Sequence, residues 1–425
     1  MNVTIIRTLF IAILSCHLIC SGISGVSAAI PGDLNKDHEI SRTELSDAII
    51  SYMGNNYAGD DVKSLEKEAL RETARKHFTM TVTDLAGREV TVPTRVERVV
   101  LGHSLYIQEF AAVEGEDFTE KIVGWGSELE TKDFDTYSQY LEVYPEIADI
   151  PIIGSMSRNT FDTESVVSLN PDVVIMPLMR YEAAKENIQT LESVGIPVLI
   201  VDFWKSPLEN TQESTLLLGK VMGKEERAEN ISEFYGEQMD LVYSTLESID
   251  PESSEFQKVY VEYGSRGPTQ YGITFSDSNW GPMITKLGAV NVAEGVASMS
   301  AIDPEYLLSQ NPDIIIIAGQ YWPENPDSMG LGYSTSTEDS IEDLQGFCTR
   351  SGWDTLVAVE DNNVHGIHHG ISYHIYNFVG MQALAKWIYP QEFADMDPDA
   401  NLQEFHERYL PVNYTGTWIV DIDEV

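Results

Sequence analysis

Residues 164–175 read ESVVSLNPDVVI, and residues 305–316 read EYLLSQNPDIII. The glutamate, a serine, the Asn-Pro-Asp triplet and the β-branched run that follows it keep the same spacing in both copies. The pattern is typical of a short helix that ends in a turn and leads into a buried strand. Because this unit occurs twice, the sequence predicts two similar α/β lobes with a cleft between them.

The residues around each copy predict where its helix begins and ends. Asp162 and Asp303 are expected to be N-caps, and Glu164 and Glu305 then lie in the first turn, where the helix dipole favours a negative charge. The helix ends early because the residue before proline is excluded from the α region. The continuous Val or Ile run that follows is typical of a strand covered on both faces of a parallel sheet.

Length and charge exclude several classes of protein. A chain of 425 residues with 43% hydrophobic content has room for two or three packed domains. Its 68 acidic and 26 basic residues give a formal net charge of −42. Such a charge repels nucleic acid and anionic membranes, so we expect no nucleic-acid partner.

The N-terminus has the features of a secretory signal. Arg7 precedes an apolar run at residues 8–19, and small residues near position 28 suit a cleavage site. We therefore predict a signal peptide at residues 1–28 and an extracytoplasmic location, at the cell surface or in a periplasm-equivalent space. Membrane tethering stays open as an alternative. Cys16 and Cys20 would be removed with the signal, so Cys348 has no intrachain disulfide partner.

A candidate calcium loop follows the signal at residues 33–44. Its oxygen-bearing side chains stand at the spacing of a twelve-residue calcium loop. His38 is a departure, because glycine normally provides the sharp turn at that position. The loop resembles one half of a dockerin module, which implies a cohesin-like partner, and the alternative is a solvated acidic turn. The candidate calcium ligands are Asp33, Asn35, Asp37, Glu39, Ser41 and Glu44.

Alternating strand and helix patterns define the rest of the chain. The predicted strands are residues 98–101, 121–123, 151–153, 173–176 and 197–201 in the first lobe and 258–262, 314–318 and 364–367 in the second. A hairpin is predicted at 80–93, a long helix at 224–249 and a final helix at 373–388. The fold class is α/β, with two doubly wound Rossmann-like lobes joined by one long α-helix and a small N-terminal helical EF-hand or dockerin-like segment.

The same patterns give the predicted domain boundaries. These are a signal peptide at 1–28, a dockerin-like calcium-loop segment at 29–57, a charged linker helix at 58–78, an N-terminal lobe at 79–206, helices bridging the lobes at 207–250, a C-terminal lobe at 251–389 and a C-terminal tail at 390–425.

Taken in order, the hairpin, the first strand, both repeats and the long helix resemble the substrate-binding proteins of ABC importers for iron complexes, haem and cobalamin. The resemblance covers roughly residues 79–407. It implies that a small metal-chelate ligand is captured between the lobes and delivered to an ABC permease dimer, with no enzymatic reaction. In that family a glutamate on the outer surface of each lobe docks onto the permease, and Glu164 and Glu305 occupy those places.

The resemblance also places the ligand in loops that follow the sheet strands of both lobes, as is general for parallel sheets. Aromatic rings with a few cationic groups suit a flat or chelated organic complex that carries carboxylates. Any one of these residues can instead be ordinary core packing. The candidate ligand-binding residues are His103, Tyr106, Trp125, Arg180, Tyr181 and Trp204 in the first lobe and Tyr263, Arg266, Tyr321, Trp322, His368 and His369 in the second.

The ligand itself stays open at this point. A ferric siderophore, haem or a corrinoid fits the resemblance, and a histidine-nickel type complex is also open. The transported ligand is expected to be an iron or cobalt complex. His103, His368 and His369 are candidates to complete a metal's coordination sphere, and the alternative is a polar loop with surface histidines. Two other functions are open: a chelatase-like metal-handling enzyme on the same fold and a dockerin-dependent surface-assembly protein.

Overall fold

The computed structural model describes residues 78–249, 256–297 and 299–423. The predicted signal peptide and calcium loop, from Asp33 to Glu44, lie outside the described residues, as does nearly all of the predicted linker helix. Calcium binding and a cohesin-like partner therefore stay predictions. Within the described part of the chain, no helix combines the length and apolar character that crossing a bilayer requires.

The first lobe contains a parallel four-stranded sheet in the order β4-β3-β5-β6. A separate two-stranded hairpin precedes it, as the sequence predicts. The strands are β1 (Thr79–Thr83), β2 (Glu89–Pro93), β3 (Val99–Leu101), β4 (Ile122–Trp125), β5 (Val173–Pro177) and β6 (Val198–Val201). The helices are α1 (Ile107–Glu114), α2 (Phe118–Lys121), α3 (Glu128–Lys132), α4 (Phe134–Val143), α5 (Thr163–Leu169) and α6 (Lys185–Ser193).

Two helices lead from the first lobe to the second. They are α7 (Pro207–Met222) and α8 (Glu225–Ser248), which confirms the long helix predicted at 224–249. At 1.5 Å per residue α8 is about 36 Å long. Ile231, Phe234 and Val242 lie on its buried face.

The second lobe contains a separate five-stranded sheet in the order β11-β10-β9-β7-β8, parallel except for β11. The two copies of the repeated unit thus belong to different sheets. The strands are β7 (Lys258–Tyr263), β8 (Val290–Asn291), β9 (Ile314–Gly319), β10 (Val364–His368) and β11 (Ile419–Asp421). The helices are α9 (Trp280–Lys286), α10 (Pro304–Gln310), α11 (Thr337–Cys348), α12 (Val357–Glu360), α13 (Phe378–Ile388) and α14 (Pro398–Tyr409).

The repeated unit forms the same local structure in both lobes. The carboxylate of Asp162 accepts hydrogen bonds from backbone amides of the first turn of α5, and that of Asp303 does so for α10. Both helices end at an asparagine with a left-handed backbone, Asn170 with φ 45° and Asn311 with φ 47°. Asparagine tolerates this conformation better than most residues, because its short side chain forms local hydrogen bonds. The predicted caps and helix ends are confirmed.

The aspartate of each Asn-Pro-Asp triplet connects the unit to the neighbouring strand. Asp172 Oδ2 accepts hydrogen bonds from the amides of Glu97 at 2.8 Å and Arg98 at 2.9 Å, directly before β3. Asp313 Oδ2 accepts from the amide of Lys258 at 2.8 Å, at the start of β7. The triplet therefore fixes where the adjacent parallel strand begins, which explains why the same three residues occur twice.

Three sequence predictions differ from the structure. The strand predicted at 151–153 is only a single bridge between Trp125 and Ile152. The helix predicted at 373–388 begins only at Phe378, because residues 373–377 form turns after the 3-10 helix at 369–372. The segment predicted as a tail, 390–425, contains α14 and β11 and buries Leu402, Phe405 and Trp418 in the core. Short or isolated apolar patterns of this kind depend on tertiary contacts that the local sequence does not reveal.

Candidate functional site

The structure places most of the predicted ligand residues at the carboxyl ends of the parallel strands. His103, Arg180 and Trp204 follow β3, β5 and β6, and Tyr263 and His368 end β7 and β10. Parallel strands all end at the same edge of their sheet, so residues from distant parts of the sequence become neighbours there. These two edges, one from each lobe, supply the residues of the candidate site.

An aromatic contact joins the two lobes. Trp204 of the first lobe stacks on Tyr373 of the second, with ring centroids 4.7 Å apart and an interplanar angle of 15°. His103 meets Trp204 edge to face at 5.3 Å, and His369 meets Tyr373 at 5.3 Å. The four rings form one continuous group across the lobes. We call Trp204, Tyr373, His103 and His369 the ring cluster.

The second-lobe side of the ring cluster is built around His369. Its ring lies 4.3 Å from that of Tyr263 and 5.3 Å from that of Phe275. The indole Nε1 of Trp280 donates a hydrogen bond to His369 Nδ1 at 3.3 Å. Burial lowers the pKa of His369 to about 3, so the ring is neutral at pH 7 and carries its proton on Nε2.

A polar group lies on the first-lobe side. Ser157 Oγ is 3.3 Å from His103 Nε2, and it accepts a hydrogen bond from Arg180 Nη2 at 3.4 Å. Glu128 Oε1 accepts from Ser155 Oγ at 2.7 Å and from the Ser157 amide at 3.1 Å. Burial lowers the pKa of His103 to about 4, although the Glu128 charge acts in the opposite direction. His103 is therefore neutral at pH 7.

Several of these groups have a polar atom left for a further interaction. His103 Nδ1 and Arg180 Nε are both buried without a hydrogen-bond partner among the described residues. Buried polar atoms in folded proteins almost always have a partner, which can be a protein group, water or a ligand. The two atoms belong to loops at one sheet edge, so a bound molecule that carries both a donor and an acceptor suits this side of the site.

Hydrogen bonds also hold the two lobes together. Glu109 Oε1 accepts from His374 Nδ1 at 2.8 Å and from the Ile375 amide at 3.1 Å. Asp135 Oδ2 accepts from the Ser334 amide at 3.3 Å. The side-chain amide of Gln320 donates to the carbonyl oxygen of Lys132. With the ring stack, these contacts close the predicted cleft by direct contact between the lobes.

Asp135 makes the stability of the closed structure depend on pH. Burial raises the pKa of this carboxyl from 3.8 to about 6, so the folded protein binds its proton more tightly than the unfolded chain does. The stabilisation from the protonated form is complete below about pH 4 and is lost as the pH rises through about 6. The ionised carboxylate is then buried at a cost of about 2–3 kcal/mol.

We expect Asp135→Asn to remove this pH dependence, because the amide stays neutral. The difference in unfolding free energy, variant minus wild type, should rise by about 2–3 kcal/mol between pH 4 and pH 7. Urea denaturation at several pH values measures it. Glu142→Gln, which neutralises an exposed carboxylate of the same helix, is the control. Parallel pH profiles for wild type and Asp135→Asn would contradict this prediction.

Other predicted site residues lie outside the ring cluster. Tyr106 is buried with its ring 5.5 Å from that of Phe203, and Trp125 is buried at the end of β4. Arg266 is exposed and donates to the Tyr271 carbonyl at 3.1 Å. The ring of Tyr181 lies beneath the cationic groups of Arg88 and Lys185. Trp322 contacts Tyr263 edge to face, and Tyr321 is exposed. His368 is buried against Trp418.

Sequence reasoning missed Tyr373, His374 and Glu109. The sequence pattern places Tyr373 and His374 in a helix. Glu109 and Glu114 lie in helix α1, whose residues are all buried, and a charged side chain in so apolar a helix was an available signal. Buried carboxylates need a partner, so an acidic residue in an apolar helix marks a contact with another element. Among the described residues, no group of three or more His, Cys, Asp or Glu side chains is placed to hold a metal ion.

Comparison with known proteins agrees with this architecture. Residues 112–369 match the family model described as "Periplasmic binding protein". The crystal structure of the TroA-like periplasmic binding protein FepB from Veillonella parvula superposes with a TM-score of 0.76 and 36% identity, covering 81% of this chain and 100% of that one.

Two other relatives share a smaller fraction of identical residues with this chain. The molybdate-binding protein MolA of Haemophilus influenzae is 24% identical over 362 residues, which cover 78% of this chain and 91% of MolA. An uncharacterized ABC transporter substrate-binding lipoprotein of Bacillus subtilis, YvrC, is 22% identical over 332 residues, which cover 78% of this chain and 92% of YvrC.

Proposed function

This chain belongs to the periplasmic binding protein family as a substrate-binding protein of ABC transporters, and from that premise we propose that it captures a metal chelate between its two lobes. The ligand is of the ferric siderophore, haem or corrinoid class. The observation that carries the proposal is the ring cluster, because Trp204 and His103 come from one lobe and Tyr373 and His369 from the other. Trp204 and Tyr373 stack on each other in the closed structure, so a ligand that enters between them when the lobes separate contacts both lobes at once.

The chemistry of the site supports an organic complex with acidic groups. Aromatic faces bury flat organic surface and contribute more than their area alone when they stack. The neutral imidazole of His103 has Nδ1 without a partner in the described structure, and a neutral imidazole is a common metal ligand. The guanidinium of Arg180 binds carboxylates through paired hydrogen bonds. Together these groups suit a metal held by a chelator with carboxylates on its edge.

A small oxyanion is a second candidate ligand. Arg180 and His103 both approach Ser157, so three possible hydrogen-bond donors meet at one point of the first lobe. The relative MolA is named as a molybdate-binding protein, and a small oxyanion needs less space between the lobes than an organic chelate. A small oxyanion makes no use of the aromatic faces of the ring cluster, whereas a flat organic chelate stacks on them. The metal chelate is therefore the first candidate.

Delivery requires a surface that the permease recognises. Glu164 and Glu305 are both exposed and lie in the first turn of equivalent helices, one in each lobe. We assign them to docking onto the two halves of an ABC permease dimer, outside the cytoplasm. Paired charges of this kind steer association and fix its orientation.

Ligand capture is tested by purifying the full chain from its native source and measuring visible absorption and metal content together. We expect about one iron or cobalt atom per chain with an organic absorption band. Trp204→Ala should lower affinity for that complex about tenfold, because the variant loses ring stacking of about 0.5–1.5 kcal/mol and the apolar area that the indole buries against the ligand. Phe256→Ala, which truncates an aromatic ring that is 71% exposed, should leave affinity unchanged.

Each other result of this experiment has a clear meaning. Molybdenum or another oxyanion-forming metal, with no organic absorption, supports the second candidate. A purified protein that carries no metal, and binds neither a ferric chelate nor molybdate when titrated with them, contradicts both. Equal affinity in wild type and Trp204→Ala removes the ring cluster from the ligand site.

A further inference from the structure

One buried carboxylate of the first lobe has its hydrogen bonds in the second lobe. Glu109 lies in the first turn of α1, and its side chain is fully buried. Both hydrogen bonds that it accepts within the described structure come from the other lobe, from His374 Nδ1 at 2.8 Å and the Ile375 amide at 3.1 Å. A buried charge is tolerated only when it is paired and hydrogen-bonded. Glu109 therefore depends on the opposite lobe for its hydrogen bonds.

His374 is equally dependent on the first lobe. It is 1% exposed and lies between the 3-10 turn at residues 369–372 and helix α13. Its Nδ1 donates to Glu109, and its Nε2 has no hydrogen-bond partner among the described residues, so Glu109 is the partner of this imidazole. Separation of the lobes breaks the hydrogen bond between Glu109 and His374. Water must then take the place of each lost partner.

A second buried carboxylate provides a direct comparison. Glu128 is also fully buried in the first lobe, but it accepts its hydrogen bonds from Ser155 and Ser157 of the same lobe. Opening the lobes leaves those bonds intact. Glu109 and Glu128 are thus both fully buried carboxylates. They differ in which lobe provides their hydrogen-bond donors.

We propose that Glu109 and His374 are positioning residues that hold the two lobes closed and so set how long a ligand is retained. The Glu109–His374 pair acts through the distance between the lobes and needs no contact with the ligand. The step to ligand retention rests on the proposed function. The effect on lobe closure does not, because it concerns the protein without ligand.

Lobe separation can be measured directly on the full chain. Spin labels at two exposed positions, Glu186 of α6 and Glu338 of α11, report the inter-lobe distance by double electron–electron resonance after Cys16, Cys20 and Cys348 are replaced by serine. We expect one short distance for the wild type. Glu109→Ala leaves two buried donors unpaired and should raise the ratio of open to closed molecules roughly ten- to hundredfold.

The controls separate a closing pair from general loss of packing. Glu128→Ala should keep the wild-type distance, and Glu109→Gln, which retains an acceptor oxygen, should restore most of it. His374→Leu, which cannot donate a hydrogen bond, should open the lobes from the other side. The Glu109→Ala/His374→Leu double variant should open them no further than the stronger single variant, as expected for residues that act through one contact.

Three results would overturn the proposal: wild-type distances in both Glu109→Ala and His374→Leu, equal opening in Glu128→Ala, or no short distance in the wild type. Circular dichroism of each variant confirms that its fold is retained. If Glu109→Ala does not fold, His374→Leu decides alone. All distances are measured without ligand, so failure of the proposed ligand class leaves this result unaffected.

Discussion

Replacing Arg350 with alanine should lower the free energy of unfolding by about 3–5 kcal/mol, the cost of leaving a buried charge without its partner. Arg350 forms a two-point ion pair with Glu262, from Nη1 to Oε2 at 2.7 Å and from Nη2 to Oε1 at 2.8 Å. Their side chains are 4% and 0% exposed. Alanine would remove the counter-charge and leave the buried Glu262 carboxylate without a cationic partner.

The surroundings of the pair increase the expected effect. The guanidinium also donates to the backbone carbonyls of Gly267, Pro268 and Gln270, and so fixes the loop after β7. It lies 4.5–4.9 Å from the ring centroids of Tyr271, Phe347 and Trp353. Glu262 in turn accepts from the Tyr260 hydroxyl and the Gly272 amide. Arg350 thus joins β7, its following loop and α11.

Urea denaturation with a linear extrapolation to zero urea measures the change in the free energy of unfolding. Arg95→Ala is the matched control, because it removes an arginine that pairs with Glu97 at the surface and is 79% exposed. Surface pairs of that kind contribute less than about 1 kcal/mol. If Arg350→Ala and Arg95→Ala changed stability by the same amount, the buried pair would not have the role that the structure indicates.

Reversing both docking charges should reduce ligand uptake at least about a hundredfold while ligand affinity stays unchanged. Close charge pairs between proteins contribute about 1.5–7 kcal/mol each, and Glu164→Arg together with Glu305→Arg turns two attractions into repulsions. Neither glutamate is part of the ring cluster, so binding of the ligand should not change. Each single variant should have a smaller effect than the double variant, since the other lobe still docks.

Uptake is measured with the permease reconstituted in vesicles, using whichever metal complex co-purifies with the protein. The control makes the same charge change at two other exposed glutamates, Glu142 of α4 and Glu360 of α12. Its uptake should stay close to that of the wild type. Normal uptake by the Glu164→Arg/Glu305→Arg variant, or an equal loss in the control, would exclude these two residues as the docking sites.

Local sequence was sufficient wherever neighbouring residues determine the structure. The caps Asp162 and Asp303, the turns at Asn170 and Asn311 and the bounds of α8 depend on side chains within a few positions and on helical spacing. The duplicated unit therefore predicted two lobes on a long helix. By contrast, β11 pairs with β10 across more than fifty residues, and no local pattern in its three residues indicates that partner.

The candidate site shows the same division. His103, Trp204 and His369 were predicted because they follow strands, and parallel strands end together. The contacts of Trp204 and His369 with Tyr373, and the Glu109–His374 pair, could not be predicted, because the partners are far apart in the sequence or come from a segment with a helical pattern; Glu109 and His374 are 265 positions apart.

The sequence by itself determined which residues end each strand, and hence the two edges that face each other. Only the tertiary structure decided which side chains meet across them, because such contacts depend on the relative placement of the two lobes, and side-chain spacing within either lobe does not specify that placement.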